Sequence, residues 1–269
     1  MFLGDRTSTT APVYFFRTAP MPCPYLGNRV ERRLVADLGK PATQAQYDQL
    51  AIAGFRRSQN LIYRPACPGC TACIPVRLRV ADFKPSRTQR RILTANDNLV
   101  GQEVPASASW EQYRLFTAYQ TGRHLGGEMS FMTYEDYRDM IEVSPIGTWL
   151  IEYRDPEQRL VAVILIDRQG DGLSAVYSFY DPGNPKLGYG TFMIADVISR
   201  VRLAGLSYLY LGYWISGSQK MAYKSRFSPL EALTPDGWRQ INPSQDDTQL
   251  SSHTDRKPPT MLPMPRLHP

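Results

Sequence analysis

Apolar residues recur along this chain at changing intervals, and the interval changes at turn-forming residues. After the capping pattern Thr43-Gln44-Ala45-Gln46, Tyr47, Leu50 and Ala51 fall on one face of a short helix, and Gly54 is a candidate stop. From Ile74 the pattern alternates. Ile74, Val76, Leu78 and Val80 are apolar and Arg77 and Arg79 are not, which predicts a strand with its arginines outward. Ser86-Arg87-Thr88-Gln89 is a second capping box and opens another helix. An amphipathic helix follows from about Ser109 to Leu125 through Tyr113, Phe116 and Tyr119, then a shorter one over about 134–142. Thr148–Arg154, Arg159–Asp167 and Leu173–Tyr180 read as strands, joined by turns at Asp155-Pro156-Glu157 and Gln169–Gly172. A Pro/Gly-rich loop, Asp181–Gly190, leads into a helix at about 191–204 with Gly205 past its end, and Leu206–Leu211 is a last strand.

Meander, glycine loop, helix and strand is the core order of the Gcn5-related N-acyltransferase fold. There, backbone N–H groups at the loop and helix start receive a phosphate-bearing acyl donor. Lys186-Leu187-Gly188-Tyr189-Gly190-Thr191 stands at that loop. The expected class is α+β. It has an acyltransferase-like domain over residues 106–240, preceded by a small basic, cysteine-containing domain over 1–105 whose first 20 residues form an irregular arm. Asn242–Pro269 holds six prolines and little periodicity, so 241–269 reads as a disordered tail.

Charge divides the chain in the same way. Residues 1–105 carry 15 Lys/Arg against 7 Asp/Glu, and residues 106–269 carry 16 against 18. A basic module beside a near-neutral one suggests a polyanion partner, most simply nucleic acid, although a solvated surface has the same composition. No apolar run approaches the roughly 20 residues that span a bilayer, so no membrane partner is expected. The N-terminus has an early Asp5 and no apolar core of a secretory signal, which points to the cytoplasm, where disulfides are rare.

That compartment gives meaning to the cysteines. All four lie between positions 23 and 73: Cys23 in Met21-Pro22-Cys23-Pro24-Tyr25, and Cys67, Cys70 and Cys73 in one C-x2-C-x2-C run. Four thiols in this pattern suit zinc or an iron–sulfur cluster, and four unrelated buried thiols are the plain alternative.

Several longer segments together carry a resemblance. They are Met21-Pro22-Cys23-Pro24-Tyr25-Leu26, Gly54-Phe55-Arg56-Arg57-Ser58, Tyr63 through Arg77 with the cysteine run, Asp171 through Tyr177, Leu211-Gly212-Tyr213-Trp214-Ile215, and Lys220 through Glu231. The chain resembles bacterial aminoacyl-tRNA–protein transferases of the arginyltransferase superfamily, closest to the aspartate/glutamate leucyltransferase branch. The resemblance implies transfer of leucine from leucyl-tRNA to proteins beginning with Asp or Glu, and degradation of the product by downstream machinery. It implies an iron–sulfur cluster or zinc at Cys23, Cys67, Cys70 and Cys73. Two departures stand out: Asn184–Gly190 differs from the usual Arg-Ser-Leu-Gly, and Ser218 stands where relatives often carry a cysteine.

Such a reaction is aminolysis of an ester already activated by the tRNA. The acceptor α-amine has a reference pKa of about 8, so no enzyme nucleophile is required. Only His124 lies outside the expected tail, and it reads as a helix-end residue. Catalysis then rests on positioning and on stabilising the oxyanion, with Tyr213, Lys220, Tyr223 and Lys224 as candidates after the last core strand. Tyr177 or Tyr180 could line the same cleft. Arg56, Arg57, Arg64 and Arg77 are candidates for the acceptor carboxylate, because a bidentate guanidinium suits it, and Asp181 for the α-ammonium. Arg87, Arg90 and Arg91 look like tRNA phosphate contacts. An arginyltransferase, a metal-stabilised RNA-binding module and a coenzyme A-dependent acetyltransferase are the competing readings. The last would need a better phosphate loop than Gly188-Tyr189-Gly190, so coenzyme A is not expected.

Overall fold

The computed structural model describes residues 13–39 and 44–242. Thr43 of the first capping box and the tail from 243 lie outside them. An N-terminal layer comes first. Strands β1 (Phe16–Arg17), β4 (Arg33–Asp37), β5 (Arg56–Ser58) and β6 (Leu61–Pro65) form a sheet in the order β1-β4-β6-β5, and β2 (Met21–Pro22) pairs with β3 (Val30–Glu31). Helix α1 (Gln44–Ile52) buries Tyr47 and Ala51 in a small core with Ala36, Leu38, Phe55 and Ile62.

The remainder is built on one mixed sheet of eight strands. Strand β7 (Ile74–Arg79) and strand β8 (Val100–Pro105) belong to it, with α2 (Arg87–Ala95) between them in sequence. The sheet thus runs across the boundary expected at residue 105. Next come α3 (Trp110–Arg123) and α4 (Tyr134–Glu142), which begin on capping boxes at Ser109 and Thr133. The expected meander follows as β9 (Thr148–Arg154), β10 (Leu160–Gln169) and β11 (Gly172–Tyr180), all antiparallel. Helix α5 (Tyr189–Leu203) crosses over to β12 (Tyr208–Trp214), parallel to β11. A hairpin of β13 (Leu230–Thr234) and β14 (Gly237–Ile241) closes the far edge, and Ile241, expected in the tail, is buried in it. Across the sheet the order is β14-β13-β7-β12-β11-β10-β9-β8.

Central β10 is buried along nearly its whole length, as a strand covered on both faces must be. Helix α5 packs Phe192, Met193, Val197, Ile198 and Val201 into the core on one face. Phe116, Tyr137, Ile141 and Phe179 build the other. Arg57 ties the N-terminal layer to this sheet through a two-pronged bond to Asp167, both contacts 2.7 Å and both side chains almost wholly buried. Removing one partner of such a pair costs about 3–5 kcal/mol, because the other charge is left buried alone.

Candidate active site

A wedge opens where β11 and β12 part. Their ladder holds only Gly172, Leu173 and Ser174 opposite Tyr208, Leu209 and Tyr210. Beyond that, Ala175–Tyr180 and Leu211–Trp214 no longer pair, and an irregularity between Tyr210 and Gly212 bends β12. The first turn of α5, which has no side-chain cap, lies against Tyr180 of this region through Tyr189. Gly188 precedes it with φ +62, a left-handed conformation that glycine adopts without strain.

The segment after β12 forms one wall, with a 3-10 turn over Ala222–Arg226. Lys224 from this turn is buried, and its Nζ donates to the carbonyl of Tyr213, where β12 has lost β11 as a neighbour. Gly212 beside it sits at φ +78, the left-handed region that glycine adopts without strain. Burial and nearby Arg56 push the lysine down to about 7, with Cys73 acting weakly in the opposite sense. The group can therefore give or take a proton at neutral pH.

Arg56 is the second buried cation here. Its Nη1 donates to the carbonyls of Phe55 (2.8 Å) and Ala51 (3.3 Å). Its Nε and Nη2, the edge that grips a carboxylate, are buried without a partner. The guanidinium lies 5.5 Å from the Tyr210 ring and 5.8 Å from the Tyr213 ring. No carboxylate pairs with Arg56 or Lys224 among the described residues.

The other sequence candidates divide sharply. Arg57 is committed to Asp167. Arg77, expected outward, is buried: it donates to Glu231 at 2.8 Å and Tyr210 at 3.1 Å, and stacks over Tyr208 at 3.6 Å and Trp238 at 4.3 Å. Neither guanidinium is free for a substrate, and both are corrected to structural roles. Arg64 is exposed and reaches the carbonyl of Ala53. Tyr213 commits its hydroxyl to the carbonyls of Gly54 and Tyr63, so it buttresses the site and has no proton to lend. Tyr177 accepts from Gln120 at 2.6 Å, and Asp181 is exposed in a turn at the mouth. Tyr223 is 40% exposed beside Tyr180, and Lys220 is exposed. Arg87, Arg90 and Arg91 stand exposed at the start of α2, whose capping residue Gln89 also donates to the carbonyl of Arg226.

The four cysteines are free thiols in the N-terminal layer. Burial, then Cys67, Cys70 and Cys23 in turn, push Cys73 up to about 12. Backbone N–H groups of Leu26 and Arg32 point at the sulfurs of Cys23 and Cys67 at 3.4 Å each. Among the described residues, however, no three His, Cys, Asp or Glu side chains stand together in a metal-holding group. The donors suit a thiolate site in kind, but their spacing is not that of a ligand shell. A cavity of about 560 Å³ beside Cys70 is lined by Pro20, Asn28, Arg29, Val30, Arg32 and Pro68, away from the wedge residues.

Comparison with known proteins adds to this geometry. The profile described as "Arginine-tRNA-protein transferase, N terminus" matches residues 21–91, and that described as "Arginine-tRNA-protein transferase, C terminus" matches residues 111–234. A protein of Paramagnetospirillum magneticum named aspartate/glutamate leucyltransferase is 50% identical over 239 residues, covering 89% of this chain and 98% of its own. One of the same name from Gluconacetobacter diazotrophicus is 50% identical over 252 residues, covering 94% and 95%. Among solved structures, "The structure of L-PGS from Bacillus licheniformis" aligns with a TM-score of 0.46 at 12% identity, over 68% of this chain and 64% of that one.

Proposed function

Because the chain belongs to the arginine-tRNA-protein transferase family, we propose that its wedge moves leucine from leucyl-tRNA to the N-terminal amine of proteins beginning with Asp or Glu. The product carries a new N-terminal leucine that marks it for degradation. We read β9 to β12 with α5 as a Gcn5-related N-acyltransferase-like core, whose parted strands admit the aminoacyl ester.

The observation that carries the acceptor side is the unpartnered Nε/Nη2 edge of Arg56 beside Lys224. Two buried cations with no carboxylate of their own are an uncompensated electrostatic cost. An acidic side chain entering here would satisfy the Arg56 fork through two parallel hydrogen bonds. An asparagine side chain, which is neutral, would not compensate the charge. Lys224 then serves the donor side. The ester carbonyl becomes an oxyanion when the amine attacks, and a lysine held near neutrality can stabilise it and protonate the departing ribose oxygen. Nothing in this sequence of steps needs a thiol, and Ser218, just ahead of Lys220-Met221, supplies none. The exposed arginines of α2 adjoin the same wall through Gln89 and suit tRNA phosphates.

The test is transfer of labelled leucine from leucyl-tRNA to peptides that differ only in the first residue. Asp and Glu peptides are expected to react and Ala and Asn peptides not to. Arg56→Met should raise KM for the Asp peptide at least about tenfold, as expected for loss of a charge-assisted pair. Transfer of arginine in place of leucine would assign the chain to the arginyl branch. Transfer of neither would revive the RNA-binding reading.

A further inference from the structure

The acceptor amine arrives mostly as an ammonium, since its reference pKa is about 8. The acidic residue nearest the wedge in sequence, Asp181, is exposed and turned into its own loop. A base is still required. His124 is the one histidine among the described residues. It caps the end of α3, as its sequence position suggests, but its ring is not idle on the surface. The ring is half-buried, and its Nε2 lies 3.3 Å from the Tyr119 hydroxyl. Tyr119 in turn meets Tyr180 edge-on at 4.8 Å, and Tyr180 meets Tyr189, the first residue of α5, at 6.2 Å. His124 thus ends a file of hydroxyl-bearing rings that begins at the wedge.

The surroundings favour a neutral ring. Burial first, then Lys220 facing it from the wall segment and Arg123 from α3, hold it below the ordinary histidine range. Tyr177 and Tyr180 from β11 and Tyr223 from the 3-10 turn face Tyr119, with Arg123 also in reach. No carboxylate is among the groups acting on either ring.

We propose that Tyr119 and His124 together accept the proton of the incoming α-ammonium, Tyr119 touching the amine and His124 holding the proton behind it. The inference rests on the wedge being the transfer site. With the imidazole proton on Nδ1, the ammonium passes a proton to Tyr119 Oη while the phenol proton moves to His124 Nε2. The freed lone pair forms the C–N bond to the leucyl carbonyl carbon. The bond from that carbon to the ribose oxygen then breaks, and the electron pair leaves on oxygen, which takes a proton from the Lys224 ammonium. Lys224 recovers its proton from the new amide nitrogen, and His124 releases its own to water. Ester and ammonium thereby become amide, alcohol and one proton.

The readout is the pH dependence of leucyl transfer to an Asp peptide in wild type, His124→Ala, His124→Gln and Tyr119→Phe. At pH 7 each variant should lose at least about tenfold in kcat, the low end for a general base, with KM for the peptide within about twofold. The gap should close by about pH 9, where the amine is already neutral, and imidazole should restore part of the loss in His124→Ala at pH 7. His124→Ala within about twofold of wild type at pH 7 would overturn the proposal. So would a loss of equal size at pH 7 and 9, the signature of a structural role. If His124→Ala melts early, His124→Gln, which keeps a hydrogen-bonding partner for Tyr119, is read in its place. Wild-type protein inactive with every acceptor would overturn the leucyltransferase reading itself, and this inference with it.

Discussion

Lys224 works against stability, and the chemistry proposed for it is what that cost would serve. An unfolded lysine titrates at 10.5, whereas burial brings this one to about 7. Between those values the unfolded chain binds the extra proton and the folded chain does not, so the contribution to stability rises with pH and is lost as pH falls toward 7. Lys224→Met removes the titration while keeping the volume. The variant should be inactive and yet more stable than wild type at pH 7, by an amount of order a few kcal/mol less the bond to Tyr213. That advantage should shrink by about 1.4 kcal/mol per pH unit toward pH 10. Denaturant titrations at pH 7 and 9 measure it, and a gap that does not change with pH would show that the lysine is not held near 7. Arg56 makes the same point in hydrogen bonds: two unpartnered donors deep in a folded protein are costly unless a ligand meets them.

At the level of elements, α2 joins the two functions of its surface. Its Ser86/Gln89 box caps the helix, and the same Gln89 side chain holds the 3-10 turn that carries Lys224. Three exposed arginines on its opening turns oppose the helix dipole, a conflict that an anion relieves. Replacing Arg87, Arg90 and Arg91 with glutamine should weaken leucyl-tRNA binding. It should also lower the slope of log affinity against log salt by roughly 0.7–0.9 for each phosphate no longer neutralised. Filter binding at several salt concentrations checks this, and an unchanged slope would move the tRNA elsewhere. Elements of this kind are legible in sequence because their signals are local. The boxes at Ser86 and Ser109, the turns after Arg154 and Gln169, and the glycines around α5 sit within a few residues of what they control. Strand β13 is not legible in this way, because its pairing with β7 reaches more than 150 residues back, as Arg77 to Glu231 does, and β14 has only β13 to pair with. The site is hidden for the same reason. Arg56, Arg57 and Arg77 look alike in the sequence, and only distant Asp167 and Glu231 reveal which two are already occupied. His124 reads as a plain helix end because Lys220, and the Tyr180 that packs on its helix neighbour Tyr119, arrive only through the fold.

At the scale of the whole molecule, the N-terminal layer and the large sheet are fastened at several points, one of them beside the proposed site. Tyr213 of β12 donates to Gly54 and Tyr63, Trp238 of β14 donates to Ile52, and Arg57 grips Asp167. Arg56 enters the wedge from that layer, on the strand β5 that pairs with β6 just ahead of the cysteine run. Anything that stiffens the cysteine region should therefore be felt in acceptor binding. We expect protein purified without oxygen to contain zinc or iron, which would draw the free thiols of Cys23, Cys67, Cys70 and Cys73 together. Cys70→Ser should lose the metal, melt earlier and show a raised KM for the Asp peptide, while Lys224-dependent chemistry at saturating acceptor suffers less. Elemental analysis beside steady-state kinetics separates the outcomes. Metal-free wild-type protein with full stability and activity would mean that the four thiols simply pack, and that the arginine beside Lys224 is held in place by the sheet alone.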